Sequence, residues 1–303
     1  MGWTVSSRHP ITKVNLRCID RICSQPRALL DKHDKVFAML VGSPKDQQAW
    51  AEVNAEVQTA FDEARREYKL DLKQENHRRG SFPAVAAGIS YGGGQTRVSN
   101  LAHSPRNKVV IEKLLANPAV RRLAGFGDAA FKLYAPRLYM HYSRTMQALR
   151  RHDCSLKPNF KKNVFGSATF NLGPRVVTYV HTDHLNLPAG WCAITAIGRF
   201  DPTKGGHLLL WDLGLMVEFP PGALVLIPSA ILRHSNTTVR PHERRYSFTQ
   251  YSAGGLFRWV ECGFKTQSTF YAEGSEYALS GAQRWTRDVG LWSTWDELRA
   301  MQV

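Results

Sequence analysis

Long apolar runs are missing from this 303-residue chain: no stretch approaches 18 consecutive apolar residues, so the sequence offers no membrane-spanning helix and no membrane partner is expected. Cysteine is scarce as well. Cys18, Cys23, Cys154, Cys192 and Cys262 are odd in number and lack Cys-x-x-Cys spacing, which argues against a disulfide framework, a disulfide-linked partner or a structural zinc cluster. Cys18 and Cys23 could share a helical face, but two ligands alone make no zinc site. The opening Met1-Gly2-Trp3-Thr4 lacks the basic-then-apolar pattern of a secretory signal, so an intracellular protein is expected. No Gly-Lys-Ser/Thr follows Gly92-Gly93-Gly94, which excludes a phosphate loop there.

Acidic residues are what the middle of the chain has little of. Residues 81–165 hold 14 Lys+Arg against 3 Asp+Glu, while 1–80 hold 14 against 11 and 166–303 hold 12 against 11. Of the net charge of +15, +11 therefore sits in one segment. Such a concentration of one sign is the usual mark of a polyanionic partner; a solvated basic face kept for solubility is the alternative. The 43% of hydrophobic residues suffice for one large domain or two small ones.

Along the chain, residues 1–45 are ambiguous: Trp3, Val5, Ile11 and Val14 suggest extended pieces, and Val36–Val41 reads equally as strand or buried helix. After Ser43-Pro44, Trp50, Val53, Val57, Ala60, Phe61 and Ala64 recur at three- and four-residue steps, which predicts an amphipathic helix of about five to seven turns. Its aromatic positions read as core. The glycines beside Tyr91 and Arg97 form a loop that either turns at the surface or approaches a substrate. Helical spacing returns at Val109–Leu115, at Pro118–Leu123 and, interrupted by Pro136, from Phe131 to Leu149.

From Val164 the apolar residues gather in short runs: Ala168–Leu172, Val176–Val180, Trp191–Ile197, His207–Trp211, Met216–Phe219, Ala223–Ile227 and Tyr246–Tyr251. Strands at this spacing predict a sandwich or jelly roll, hence an α+β protein. The division expected is a helical and irregular region over 1–80, a basic, mostly helical segment packed on the core over 81–163, the β core over 164–265, and a helical tail over 266–303.

His181 and Asp183, two apart, share a face of any strand they occupy, and His234 follows far enough along for a sheet to return beside them. Two imidazoles and one carboxylate leave three positions of an octahedral metal open, as in non-haem Fe(II) oxygenases; a structural zinc or a site without metal is the alternative. Arg245 and Ser247 share a face in the same way, and a planar guanidinium beside a hydroxyl would receive the far carboxylate of a 2-oxoacid. Arg244 is then the outward residue, unless the strand parity is reversed.

These residues resemble a known family. His181-x-Asp183, His234 and Arg245-x-Ser247, with Gly205-Gly206-His207-Leu208 after a glycine turn, look like the Fe(II)/2-oxoglutarate dioxygenases, whose fold is a double-stranded β-helix. More narrowly, His181-Thr182-Asp183-His184-Leu185-Asn186 matches the His-x-Asp-x-x-Asn of the TET/JBP branch, oxidases of modified DNA bases. Gly190–Thr195, Leu226–Ser229 and Ser247–Tyr251 through Gly263 are similar to its fungal, transposon-associated members. The resemblance implies His181, Asp183 and His234 as catalytic iron ligands, Arg245 and Ser247 as the 2-oxoglutarate clamp, His207 as a further cosubstrate contact, and O₂ as cosubstrate. It implies Asn186 as a hydrogen-bonding partner of a flipped base and Tyr251 as its stacking partner. Where animal members carry a base-reading histidine this chain has Ala253, and it lacks their cysteine-rich extension. That leaves N6-methyladenine beside 5-methylcytosine as substrate.

Extracting a base demands a grip on the flanking phosphates, so the basic segment is expected to form a wall facing double-stranded methylated DNA, with Arg97, Arg106, Lys108, Arg121 and Arg122 as contacts. A monomer in the nucleus is expected. The alternatives are a 2-oxoglutarate-dependent hydroxylase or demethylase acting on RNA or protein, and a silent nucleic-acid binder that keeps the fold.

Overall fold

The computed structural model describes residues 17–19 and 26–301. The strands are β1 (Arg17–Ile19), β2 (Arg27–Leu30), β3 (Val36–Gly42), β4 (Asn76–His77), β5 (Gly80–Ser81), β6 (Ala84–Ser90), β7 (Ser99–Asn100), β8 (Ser167–Asn171), β9 (Cys192–Arg199), β10 (Leu208–Leu210), β11 (Leu215–Val217), β12 (Leu224–Ile227), β13 (His234–Asn236) and β14 (Arg244–Tyr251). The helices are α1 (Gln47–Glu67), α2 (Leu72–Glu75), α3 (Pro105–Ala116), α4 (Pro118–Tyr134), α5 (Pro136–His152), α6 (Gly254–Glu261), α7 (Gln267–Ala272), α8 (Gly281–Val289) and α9 (Trp295–Ala300).

Two sheets form the core. The larger has the order β2-β3-β12-β9-β14-β8-β6-β7, and the smaller β1-β11-β10-β13. From Ser167 onward the chain passes between them: β8, β9, β12 and β14 belong to the larger, β10, β11 and β13 to the smaller. The segment 176–181 completes the smaller sheet beside β13 through the bridge of His181 to His234. This alternation is a double-stranded β-helix, the jelly roll that the short apolar runs predicted.

Strand parity decides what each face of the larger sheet does. On β14, Tyr246 and Phe248 join Phe170 of β8 and Ile197 of β9 in an apolar cluster with Val57 and Phe61 of α1, Val110 and Leu114 of α3, and Val120 and Leu123 of α4. The alternate residues Arg245, Ser247 and Thr249 face the other way and line a cavity between the sheets. Helix α1 forms where the three- and four-residue spacing requires it: Asp46 caps it by accepting from the Ala49 amide, and Trp50, Val53, Val57, Phe61 and Ala64 are its buried face. Phe61 meets Phe170 edge-on at 5.7 Å and Tyr246 at 6.2 Å.

Several readings of the sequence are corrected. Val176–Val180 is no regular strand, because its backbone partners are divided: Val176 N donates to Arg245 O, Tyr179 N to Arg79 O, and the Thr178 amide to the Asn236 side chain. β13 escapes a reading by apolar runs because His234-Ser235-Asn236 has no apolar residue to betray a strand. Val36–Gly42, compatible in sequence with helix or strand, is a fully buried strand, and with Ala84–Ser90 it widens the larger sheet on both sides. The tail packs on the core, with Trp292 buried and its indole N–H donated to Ala189 O at 2.9 Å. The extended pieces expected near Trp3, Val5, Ile11 and Val14, and Cys23, lie outside the described residues.

Candidate metal centre

His181 and Asp183 leave the irregular segment at the rim of the smaller sheet, and the mutual backbone bonds of His181 and His234, 3.1 and 2.9 Å, hold the two imidazole-bearing residues side by side. Ligand atoms of His181, Asp183 and His234 all lie within 4.8 Å of one another. Each Nε2 is 3.9 Å from an Asp183 carboxylate oxygen. The other ring nitrogens are committed. His181 Nδ1 donates to Tyr179 O at 2.7 Å and His234 Nδ1 to Leu232 O at 2.9 Å. A carbonyl can only accept, so both Nε2 lone pairs point at the common centre, the usual way a protein orients metal-binding imidazoles.

The electrostatics agree with that role. Burial pushes the His181 imidazole down to about 4, with His234 adding to the effect and Asp183 opposing it, so the ring is neutral near pH 7. Burial alone would raise the Asp183 carboxyl, but His234, Arg79, His181 and a hydrogen bond from Ser229 outweigh it and hold it below the usual carboxylate range. Two imidazoles and one carboxylate suit a divalent metal bound on one face.

Arg245, only 3% exposed, lines the same cavity as the triad, together with Ser247, Asn171 and Thr249. Its Nη1 donates to Val176 O at 3.2 Å, while its Nε is buried without any partner. Burial pushes its pKa down to about 10, and no carboxylate pairs with it among the described residues. Asn171 Nδ2 donates to Ser247 Oγ at 2.8 Å, which leaves the Ser247 proton free for another acceptor. An orphaned guanidinium edge beside a free hydroxyl fits a carboxylate. Arg244 is exposed and faces Asp62 at 3.4 Å, so the parity is the expected one.

Asn186 and Tyr251 meet at a neighbouring depression of about 370 Å³ that also includes Asp183, Thr169 and Thr249. His207 is not brought in. Strand alternation turns Leu208 into the cavity, and the His207 ring instead pairs with Thr237 Oγ1 at 3.1 Å.

The expected DNA-facing wall is also displaced. Arg106 and Lys108 lie on α3 and Arg121 and Arg122 on α4, helices that cover the face of the larger sheet opposite the triad. Arg106 donates to Glu67 O, Lys108 faces Glu112, Arg121 donates to Leu115 O, and Arg122 lies over Trp50. Arg97 is exposed beyond the glycine loop. The cations at the depression are instead Lys73, Arg78 and Arg79. The β4–β5 hairpin brings the two arginines there, and it needs Gly80: φ is +152° and an added Cβ would sit 2.6 Å from Val177 O. Arg78 donates to Thr182 O at 2.8 Å and approaches Asp183 at 3.6 Å. In the sequence these arginines read only as the end of a helical region.

No protein-family model matches the chain, and no curated protein matches it. Among solved structures it is similar to NgTET1 in complex with 5mC DNA, at 16% identity and TM-score 0.49 over 80% of this chain and 83% of that one. It is similar to an oxidoreductase of the 2OG-Fe(II) oxygenase family from Burkholderia pseudomallei, at 16% identity and TM-score 0.35 over 68% of this chain and 92% of that one. It is also similar to a viral collagen prolyl hydroxylase, vCPH, from Paramecium Bursaria Chlorella virus-1 in a 2OG complex, at 12% identity and TM-score 0.29 over 65% of this chain and 89% of that one. The fold stands on the chain's own strand order: an α+β protein built on a double-stranded β-helix.

Proposed function

We propose that this chain is an Fe(II)- and 2-oxoglutarate-dependent dioxygenase that oxidises methyl groups on bases of double-stranded DNA. The products would be 5-hydroxymethylcytosine and further oxidation states from 5-methylcytosine, or the demethylated base from N6-methyladenine. The observation that carries the reading is the placement of His181, Asp183 and His234 around one point, with the unpaired Arg245 and the Ser247 hydroxyl lining the same cavity.

His181 and His234 would hold the metal through Nε2 and Asp183 through a carboxylate oxygen. Bound together, iron, 2-oxoglutarate and O₂ supply the oxidation, one oxygen atom going to the substrate C–H bond and the other to succinate as CO₂ leaves. Arg245 would take the far carboxylate of the cosubstrate through parallel charge-assisted bonds, and Ser247 would donate its free proton to it. Enclosure between the two sheets excludes water from that carboxylate. On the open side, Asn186 and Tyr251 offer a polar edge and a ring face to a base flipped from the duplex, and Lys73, Arg78 and Arg79 offer positive charge to its phosphates. Asn186 also stands at the last position of the His-x-Asp-x-x-Asn spacing. A monomer acting in the nucleus goes with this substrate.

Mass spectrometry of nucleosides after incubation with methylated duplexes, Fe(II) and 2-oxoglutarate tests the reading. Oxidised or demethylated bases are expected from the native chain and none from a His181→Ala/Asp183→Ala variant. Activity that survives in that variant defeats the metal assignment, and turnover of RNA or peptide in preference to methylated duplex defeats the substrate.

A further inference from the structure

The positive charge concentrated in residues 81–165 is not used by the chemistry proposed above, because α3 and α4 cover the face of the larger sheet opposite the triad. Part of that charge lines a cavity. A groove of about 640 Å³ lies between α4, which contributes Arg121, Gly125 and Asp128, and the loop 158–163, which contributes Phe160, Lys161 and Lys162. The three helix residues follow one another at steps of four and three, so they share one face. Gly125 is the floor: an added Cβ there would meet nothing within 4 Å. Pockets that take small molecules have volumes of roughly 300–1,000 Å³, and this groove falls among them.

The loop that forms its far wall is fastened at several points. Asn159 Nδ2 donates to Ala87 O on β6 at 2.9 Å. Asn163 Nδ2 donates to Gln250 Oε1 on β14 at 2.7 Å, while its Oδ1 accepts from the Phe165 amide at 2.9 Å. The Val164 amide donates to Asp128 Oδ1 at 2.9 Å, which ties the loop back to α4. Between these anchors Lys162 has a φ of +65°, a left-handed conformation that a non-glycine residue keeps only where its surroundings impose it. A fixed turn therefore presents Lys161 and Lys162 to the groove.

The charges in the groove do not cancel. Arg121 Nε donates to Leu115 O at 2.9 Å, which orients the guanidinium and leaves its terminal nitrogens without a partner among the described residues. No carboxylate pairs with Arg121, Lys161 or Lys162 among those residues. The one acid, Asp128, accepts from the Val164 amide on Oδ1 and from the Tyr139 hydroxyl on Oδ2 at 3.0 Å, and each oxygen keeps a further lone pair. Three cations against one carboxylate leave two positive charges, which a phosphate monoester, carrying about −1.5 to −2 at pH 7, would balance. Arginine offers a phosphate parallel donors and lysine a compact charge. Half-buried Phe160, backed edge-on by Phe248 at 6.2 Å, adds an apolar wall.

We propose that this groove binds a small phosphate ester bearing hydroxyl groups, its phosphate held by Arg121, Lys161 and Lys162 and a hydroxyl donated to Asp128. A nucleotide and a sugar phosphate share that chemistry. The site does not rest on the reading of the chain as a nucleobase oxidase.

Equilibrium dialysis of the metal-free native chain against labelled ADP and, separately, labelled ribose 5-phosphate tests the site. Saturable binding of at least one is expected, and the compound that binds names the source. Gly125→Leu fills the groove without removing a charge, and leucine is favoured over glycine inside a helix, so this variant should melt no lower than the native chain while binding at least tenfold more weakly. Arg121→Ala/Lys161→Ala/Lys162→Ala should also bind at least tenfold more weakly, whereas Arg78→Ala/Arg79→Ala should bind as the native chain does. No saturable binding of either compound at millimolar concentration overturns the proposal. So does binding that Gly125→Leu retains, since attraction by surface charge alone needs no groove. Binding lost in Arg78→Ala/Arg79→Ala would place the ligand beside the metal centre and refute this site. Loss of duplex DNA affinity in Gly125→Leu would give the groove to a nucleic-acid backbone and refute a small ligand.

Discussion

Replacing Arg245 by methionine tests the cosubstrate clamp where structure and energetics make opposite demands. In the ligand-free chain Arg245 is a buried cation facing no acid among the described residues, and burial pushes its pKa down to about 10. The unfolded chain therefore binds this proton more tightly than the folded one. Below pH 10 the charge weakens the fold by something on the order of 3 kcal/mol, and that penalty fades only as pH rises from 10 toward the ordinary arginine value. Methionine removes the charge and keeps much of the volume, so ligand-free Arg245→Met should melt no lower than the native chain near neutral pH. With 2-oxoglutarate the order should reverse. Loss of a carboxylate's charge-assisted hydrogen bonds, each worth about 1.5–3 kcal/mol, should weaken cosubstrate binding by roughly 10²- to 10³-fold. The assay is thermal unfolding under argon with Mn(II) in place of iron, with and without 2-oxoglutarate. At 100 times its dissociation constant the ligand should stabilise the native chain by about 2.7 kcal/mol, and the same concentration should hardly shift the variant. A cosubstrate affinity within about threefold of the native value in Arg245→Met would refute the reasoning, since a difference that small is under about 1 kcal/mol.

Two further outcomes separate the faces of the larger sheet. Arg78→Ala/Arg79→Ala should weaken binding to duplex DNA and reduce the slope of log affinity against log salt by about 0.9 for each phosphate no longer neutralised, whereas Arg121→Ala/Arg122→Ala should leave that slope unchanged. The reverse pattern, read by fluorescence anisotropy between about 50 and 200 mM salt, would return the DNA to the helical face. Phe61→Ala, behind the sheet, should destabilise the chain by about 3–5 kcal/mol in urea unfolding through the cavity it leaves, with the KM for 2-oxoglutarate unaltered.

Much of the site could be read from spacing of two. His181 and Asp183, and Arg245 and Ser247, are each separated by one residue, and only one of their faces can meet a metal or a carboxylate. The same reasoning carried α1, where Trp50, Val53, Val57 and Phe61 mark a helical face without any knowledge of what they touch. It failed at β13, where a buried strand of polar residues carries no period, and at 176–180, where apolar residues run over backbone bonded to three different places.

The basic segment shows the limit of local pattern most clearly. Charge marked Arg106, Lys108, Arg121 and Arg122 as DNA contacts, and all four are exposed, but a helical period cannot say on which side of a sheet its helix packs. That was decided by Phe170, Tyr246 and Phe248, whose parity turns the apolar face of the sheet toward α1, α3 and α4 and its polar face toward the triad. The side-chain contacts of Ser229 with Asn186 and Cys192 lay equally beyond the sequence. Ser229 stands 43 residues from Asn186 and 37 from Cys192, separations that only the folded strands close. By itself the sequence determined which side chains share a face and what chemistry they can offer; folding the sheets over one another decided which faces meet, because contact across a core is set by packing and register rather than by neighbours in the chain.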